Sequence, residues 1–254
     1  MSIAITRQVS PSIAKCELTH LQRFPIDLET ARRQHHEYED ALRALGADVR
    51  SLPAEPDLPD SVFVEDAAIV LDECAIIIRP GANSRQPETA SIARALAPYR
   101  KLFYIQPPGA LDGGDVLTVG KTIHIGLSSR SNQAAIQQLR EYIAPHGYVV
   151  KSVNVSGCLH LKSALTQVAV DTLLINPAWV SKTDFPATKF IEVDPSEPYA
   201  ANAVLIGETI IYPAAFPKTR ARLEAAGIPM LIVDASELAK AEGALTCCSL
   251  ILKA

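Results

Sequence analysis

One unit recurs along this chain: a helix-like stretch, a short apolar strand, a loop, and then a hairpin of apolar runs. Hairpins begin at Asp60, Ala110, Leu159, Tyr199 and Gly243, so successive starts are 50, 49, 40 and 44 residues apart. Repeats of this length predict a solenoid or a closed propeller-like array. The fifth hairpin lacks its second strand, and the chain opens on an unpartnered strand, Ile3-Ala4-Ile5-Thr6. Pairing the first strand with the last would close a ring and remove both edges. The expected fold is an α/β ring of five units, closed by the N- and C-terminal strands. A doubly wound sheet would call for a Gly-rich turn after the first strand, which is missing here. No composition break or long linker interrupts residues 1–254, which predicts one domain.

Helical spacing and end signals predict helices over Ile26–Leu45, Glu88–Tyr99, Asn132–Ala144 and Lys218–Ala226, with a short one near Ser236–Ala241. The connector Pro177–Phe185 carries no helix pattern and is the weak copy. In the first hairpin, Ser61–Arg79, the run Val62-Phe63-Val64 reads as a strand. So does the stretch Gly243–Leu250 at the end of the chain. The first helix is read either as core-facing or as part of a homodimer interface.

Hydrophobic residues at 48% and charged residues at 20% describe an ordinary globular chain. A net charge of -4 with no basic run argues against a nucleic-acid partner. No run reaches membrane-spanning length and the N-terminus lacks a signal-peptide core, so a cytoplasmic protein is expected. Five cysteines at irregular spacing do not form a secreted disulfide framework.

Each hairpin start carries a polar group in apolar surroundings: Asp60, Glu65 and Asp66; Asp112 and Asp115; His160; Asn202; and Cys247. In a closed ring these positions face one axis, which brings a thiol, an imidazole and carboxylates together, the set a thiolate nucleophile needs. Cys247 is otherwise a small buried hydrophobe. Alternation along a strand lets only one of Cys247 and Cys248 face the pocket. His160, an isolated polar residue read as lying in a strand, has the reference pKa of a general acid and base, or else is a satisfied core histidine or an exposed one. Asp112-Gly113-Gly114-Asp115 also reads as a tight turn whose glycines supply positive φ. Glu65 and Asp66 lie between apolar runs, and a buried carboxylate requires a cation. A flat guanidinium ligand matches several carboxylates around one plane. Arg85 and Arg130 are then free to take an α-carboxylate, or are solvated surface charges.

Five stretches carry a resemblance: Asp60-Ser61-Val62-Phe63-Val64-Glu65-Asp66, Arg79-Pro80-Gly81-Ala82, Leu111-Asp112-Gly113-Gly114-Asp115-Val116, Leu159-His160-Leu161-Lys162-Ser163 and Leu245-Thr246-Cys247-Cys248-Ser249. In that order, from about residue 18 to the C-terminus, they resemble the dimethylarginine dimethylaminohydrolase family. The resemblance implies the pentein fold, a five-bladed α/β propeller. It also implies hydrolysis of Nω-methylated arginine to citrulline and a methylamine, without an organic cofactor. Cys247 resembles the nucleophile, His160 the general acid and base, and Asp112 the carboxylate paired with the histidine. Asp60, Glu65 and Asp66 resemble the guanidinium contacts, and Arg85 and Arg130 the α-carboxylate clamp. Leu18 resembles the lid-loop residue over the substrate, and Ala241 falls where relatives offer a backbone carbonyl.

Other readings compete. Arginine deiminases and amidinotransferases share the fold, although this chain lacks room for the helical insertion typical of deiminases. A zinc protein using Cys247, His160 and Asp112 has suitable ligand types, but the spacings match no structural finger. Zinc as an inhibitor on the Cys247 thiolate is compatible with the hydrolase reading. A non-catalytic ring would need neither an axial thiol nor the arginine pair.

Overall fold

The computed structural model describes residues 2–186 and 188–253, and within them five three-stranded sheets repeat one plan. Two strands pair antiparallel, and a third, returned by a crossover, lies parallel to the second. β1 (Ser2–Arg7) pairs parallel with β2 (Ala47–Leu52). The next sheet is β3 (Ala68–Val70), β4 (Cys74–Ile77) and β5 (Lys101–Tyr104). Then come β6 (Val116–Val119), β7 (Thr122–Gly126) and β8 (Val149–Val153). The fourth holds β9 (Leu165–Ala169), β10 (Thr172–Ile175) and β11 (Lys189–Glu192). The fifth holds β12 (Val204–Ile206), β13 (Thr209–Pro213) and β14 (Met230–Val233).

The last strand, β15 (Leu250–Lys253), completes the first sheet. It pairs antiparallel with β1, Ser2 opposite Lys253 and Ile5 opposite Leu250. The two ends of the chain therefore make the hairpin that is continuous in the other four sheets, and the ring closes as the repeat pattern required. The four long crossovers are α1 (Leu28–Ala44), α2 (Thr89–Leu96), α3 (Gln133–Ile143) and α5 (Pro217–Ala225). Between β10 and β11 there is only a 3-10 turn, Lys182–Asp184, where the sequence shows no helical period. Two short helices remain, α4 (Leu161–Ala164) and α6 (Ser236–Ala239).

The middle strands explain why the ring holds. β4, β10 and nearly all of β7 and β13 are buried, because neighbouring strands and a crossover cover both faces. Their sequences are accordingly continuous apolar runs such as Cys74-Ala75-Ile76-Ile77. α1 starts at Asp27, whose side chain accepts from the Thr30 N–H. It buries Ala31, Tyr38, Ala41 and Leu42, so this helix faces the core. Tyr38 hydroxyl and Ser249 hydroxyl, 2.6 Å apart, tie it to the foot of the last strand. Among the described residues, no helix is long and apolar enough to cross a membrane.

Three expectations are corrected at the hairpin starts. Val62-Phe63 is not a strand but leads into a 3-10 turn, Val64–Ala67. His160 precedes α4 instead of lying within a strand. The cysteines occupy a 3-10 turn, Thr246–Cys248, ahead of β15. The physical reason is common to the blades: the chain must turn from the loop onto the sheet at the hub, and one helical turn does so. Strand alternation does not govern Cys247 and Cys248. In the turn, Cys247 reaches the cavity, while Cys248 is 2% exposed in the core and its thiol donates to the Ala244 carbonyl.

Candidate active site

The turns at the blade starts meet at the hub. A narrow cavity is walled by Asp60, Asp66, Arg85, Arg130, His160, Ala241 and Cys247, together with Glu17, Phe63, Leu159, Glu242 and Gly243. Seven of the ten residues given a catalytic or substrate-binding role from the sequence thus line one space. Asp112, Glu65 and Leu18 do not form part of its wall.

Asp112 stands behind His160. It is fully buried, and its Oδ2 lies 3.1 Å from His160 Nε2 while Oδ1 accepts from the Gly81 N–H at 2.7 Å. Arg130 Nη1 lies 3.6 Å from the same Oδ2. Asp66 sits on another side of the imidazole. Its Oδ1 accepts from the Gly114 N–H at 2.9 Å and its Oδ2 from Arg85 Nη1 at 2.7 Å. Asp115 supports the arrangement from beneath, accepting from the Leu161 N–H at 3.1 Å and from the hydroxyl of Ser131.

The glycines of Asp112-Gly113-Gly114-Asp115 serve close approach and not positive φ. A Cβ on Gly114 would lie 2.4 Å from His160 Nδ1, and one on Gly113 would lie 1.9 Å from the Glu65 carbonyl oxygen. The imidazole and the Val64–Ala67 turn pack directly onto this backbone.

These charges set protonation. Burial alone would lower the His160 pKa, but the carboxylates of Asp66, Asp112 and Asp115 outweigh it and raise the value to about 9. His160 is therefore an imidazolium at neutral pH. Burial would raise the Asp66 pKa, yet Arg85 and the His160 cation hold it below the usual carboxylate range. The Cys247 thiol is pushed up, first by burial and then by the Glu65 and Asp66 charges. Before any ligand enters, the cavity pairs a neutral thiol with a protonated imidazole.

Arg85 and Arg130 differ. Arg85 is 5% exposed and donates to Asp66, to both oxygens of Glu88, and to the carbonyls of Asp60 and Phe63. Glu88 is itself pushed up to about 7 by burial, against the pull of Arg85. Arg130 stands in the turn ahead of α3, half-buried, with Thr19 Oγ1 at 2.9 Å as its hydrogen-bond acceptor. Its guanidinium is the freer of the two.

Glu65 lies under the cavity floor, facing a separate axial cavity lined also by Lys162 and Thr246. Lys162 pairs with its Oε1, and Thr246 hydroxyl donates to Oε2 at 2.9 Å. Thr246 in turn accepts from Asn202 Nδ2 at 2.9 Å, and its N–H donates to Asn202 Oδ1 at 3.1 Å. The cation that Glu65 needed is a lysine of this chain. Lys162 and Thr246 escaped notice because nothing in their local sequence reveals a long-range partner, and Glu88 did so although Arg85 is only three residues away. Leu18 is half-buried against the cluster that includes Ala241 and Cys247, and its neighbour Glu17 forms the wall.

Among the described residues, Asp66, Asp112 and His160 place one ligand atom each within 4.8 Å of one another. Cys247 is not in that group, so the three-ligand zinc set of Cys247, His160 and Asp112 is replaced by two carboxylates and the imidazole.

The chain is 40% identical to N(G),N(G)-dimethylarginine dimethylaminohydrolase of Streptomyces coelicolor, over 98% of this chain and 96% of that protein. The chain belongs to the dimethylarginine dimethylaminohydrolase family. The family description "N,N dimethylarginine dimethylhydrolase, eukaryotic" matches residues 20–184. A solved structure of the Pseudomonas aeruginosa family member, a mutant complexed with citrulline, superposes with a TM-score of 0.93 at 35% identity, covering 98% of each chain. The N-terminal domain of a cyanobacterial arginine dihydrolase superposes with a TM-score of 0.86 at 19% identity, over 98% of this chain and 97% of that one, and shows the shared pentein fold.

Proposed function

We propose that this chain hydrolyses Nω-methylated L-arginines to L-citrulline and methylamine or dimethylamine, through a covalent intermediate on Cys247. The observation that carries the reading is the convergence of Cys247, protonated His160 and the Asp66 carboxylate on one cavity. It occurs in a chain whose near full-length relative is a named dimethylarginine dimethylaminohydrolase.

Asp60 and Asp66 hold the substrate guanidinium, and Arg130, with Arg85 beside it, takes the α-carboxylate. Ala241 offers its backbone carbonyl, and the loop around Leu18 covers the substrate. The incoming positive charge offsets the carboxylates that keep the thiol neutral, and Cys247 loses its proton to solvent water as the substrate enters. The thiolate attacks the guanidinium carbon, forming a C–S bond. His160 gives its proton to the methylated nitrogen, the C–N bond breaks, and the amine leaves a thiouronium on Cys247. Neutral His160 then takes a proton from water. The resulting hydroxide adds to the same carbon, the C–S bond breaks, the added hydroxyl's proton passes to the departing sulfur, and citrulline leaves Cys247 as a neutral thiol. Asp112 orients the imidazole and favours its protonated form. This reading places the reaction in one domain spanning the chain, in the cytoplasm, with no organic cofactor or metal required.

Incubation with asymmetric dimethylarginine, followed by detection of citrulline and dimethylamine, tests the proposal. Parallel incubation with arginine and detection of ammonia separates it from a deiminase. Citrulline from arginine alone would overturn it.

A further inference from the structure

We propose that Glu242 is a latch that holds the loop of residues 17–23 closed over the cavity. The loop has no regular secondary structure, and Glu17, Thr19 and His20 are exposed. Of its seven residues only Leu18 and Leu21 are half-buried, so polar bonds carry much of what keeps it closed. Three successive backbone N–H groups, those of Thr19, His20 and Leu21, donate to the Glu242 carboxylate. Consecutive N–H groups aimed at one point form an anion-binding nest, and here the anion comes from a residue more than 200 positions along the chain. The neighbouring Lys240 is turned away, 2.8 Å from Glu237, and does not compete for the carboxylate.

The backbone that aims Glu242 is itself held in a costly conformation. Among the described residues, Glu242 is the one non-glycine residue with positive φ, at 57°. It lies between Ala241 and Gly243, which both line the cavity. Gly243 packs so closely on Phe63 that a Cβ there would lie 2.1 Å from the ring. The segment that forms one wall of the cavity thus also carries the group that fastens the loop.

Two of the loop's other attachments are to cavity residues, while Ser84 donates to the Glu17 carboxylate and Arg23 to the carbonyls of Ala14 and Cys16. The Glu17 N–H donates to Asp60 Oδ2 at 3.1 Å, and Arg130 Nη2 donates to Thr19 Oγ1 at 2.9 Å. A closed loop therefore orders Asp60 and Arg130 at the same time. Glu242 acts as a positioning residue, and its consequence for turnover rests on the methylarginine reading above, whereas the latch itself does not.

The test compares the full-length protein with Glu242→Gly and Glu242→Gln. Glycine accepts the positive φ and removes the carboxylate, while glutamine keeps one neutral acceptor oxygen. Trypsin cleavage after Arg23 under native conditions reads loop opening. Cleavage of Glu242→Gly is expected to be at least about tenfold faster than that of the unaltered chain, with Glu242→Gln between them, because hydrogen bonds to a charged acceptor are the stronger ones. KM for asymmetric dimethylarginine is expected to rise with loop opening, while kcat changes less. Equal cleavage rates in all three proteins would overturn the latch. Faster cleavage with unchanged KM would overturn its role in positioning substrate. If the unaltered chain makes no citrulline, the functional reading fails, and the cleavage rates still decide the latch.

Discussion

His160 Nε2 and Asp112 Oδ2 lie 3.1 Å apart, Asp112 fully shut from solvent and His160 nearly so. The carboxylate favours the protonated form of an imidazole that has to give up a proton during the reaction. Asp112→Asn is expected to lower the His160 pKa from about 9 toward its ordinary value. The alkaline limb of the kcat/KM profile then moves to lower pH, and kcat falls by about 10²-fold, the lower end of what general acid–base catalysis supplies.

The same raised pKa affects stability. The folded value lies above the unfolded value of about 6.5, so the contribution of His160 is complete below about pH 6.5. It is lost as pH rises through about 9. Denaturant midpoints measured between those limits should decline for the unaltered chain. That part of the decline should vanish in His160→Gly. Given a substrate analogue whose leaving group departs without a proton, the same variant should also accumulate the thiouronium mass on Cys247, visible by mass spectrometry of the intact protein.

Cys247 and Cys248 are neighbours with opposite surroundings. Cys247→Ser is expected to abolish citrulline formation. Cys248→Ser should retain most of it and instead lose about 1–2 kcal/mol of stability by placing a hydroxyl in an apolar cluster. A citrulline assay beside a thermal melt separates the two effects, and equal loss of turnover in both variants would break the assignment.

Gly114→Ala places a methyl group 2.4 Å from His160 Nδ1, and Gly113→Ala one at 1.9 Å from a backbone carbonyl. The imidazole can rotate aside, whereas backbone cannot. Gly114→Ala should therefore fold and lose turnover, and Gly113→Ala should be the less stable protein in the same melt.

Beneath the cavity, Lys162→Met would leave Glu65 buried without its cation. Breaking such a pair costs about 3–5 kcal/mol. Burial already raises the Glu65 pKa despite Lys162, so the loss should deepen as pH rises and the carboxylate ionises. Adding Glu65→Gln to Lys162→Met should restore much of the stability in urea titrations.

Recurring apolar runs and their spacing were sufficient to determine five units, the closure of the ring by Ile3–Thr6, and the weak fourth crossover. These features depend on local periodicity and on the need to bury both faces of each middle strand. The convergence of Asp60, Asp66, Arg85, Arg130, His160 and Cys247 was legible because equivalent positions of a closed ring must share an axis. What lay beyond the sequence was how each residue is presented and with whom it pairs. One helical turn, not a strand, delivers Cys247 and His160 to the hub, because the chain has to change direction where the blades crowd. Lys162 neutralises Glu65, Glu88 braces Arg85, and Glu242 grips Thr19, His20 and Leu21. Of these, the first and last join residues 97 or more positions apart. Such partners meet only once the ring has closed, since electrostatic pairing depends on distance in space and leaves no periodic trace along the chain.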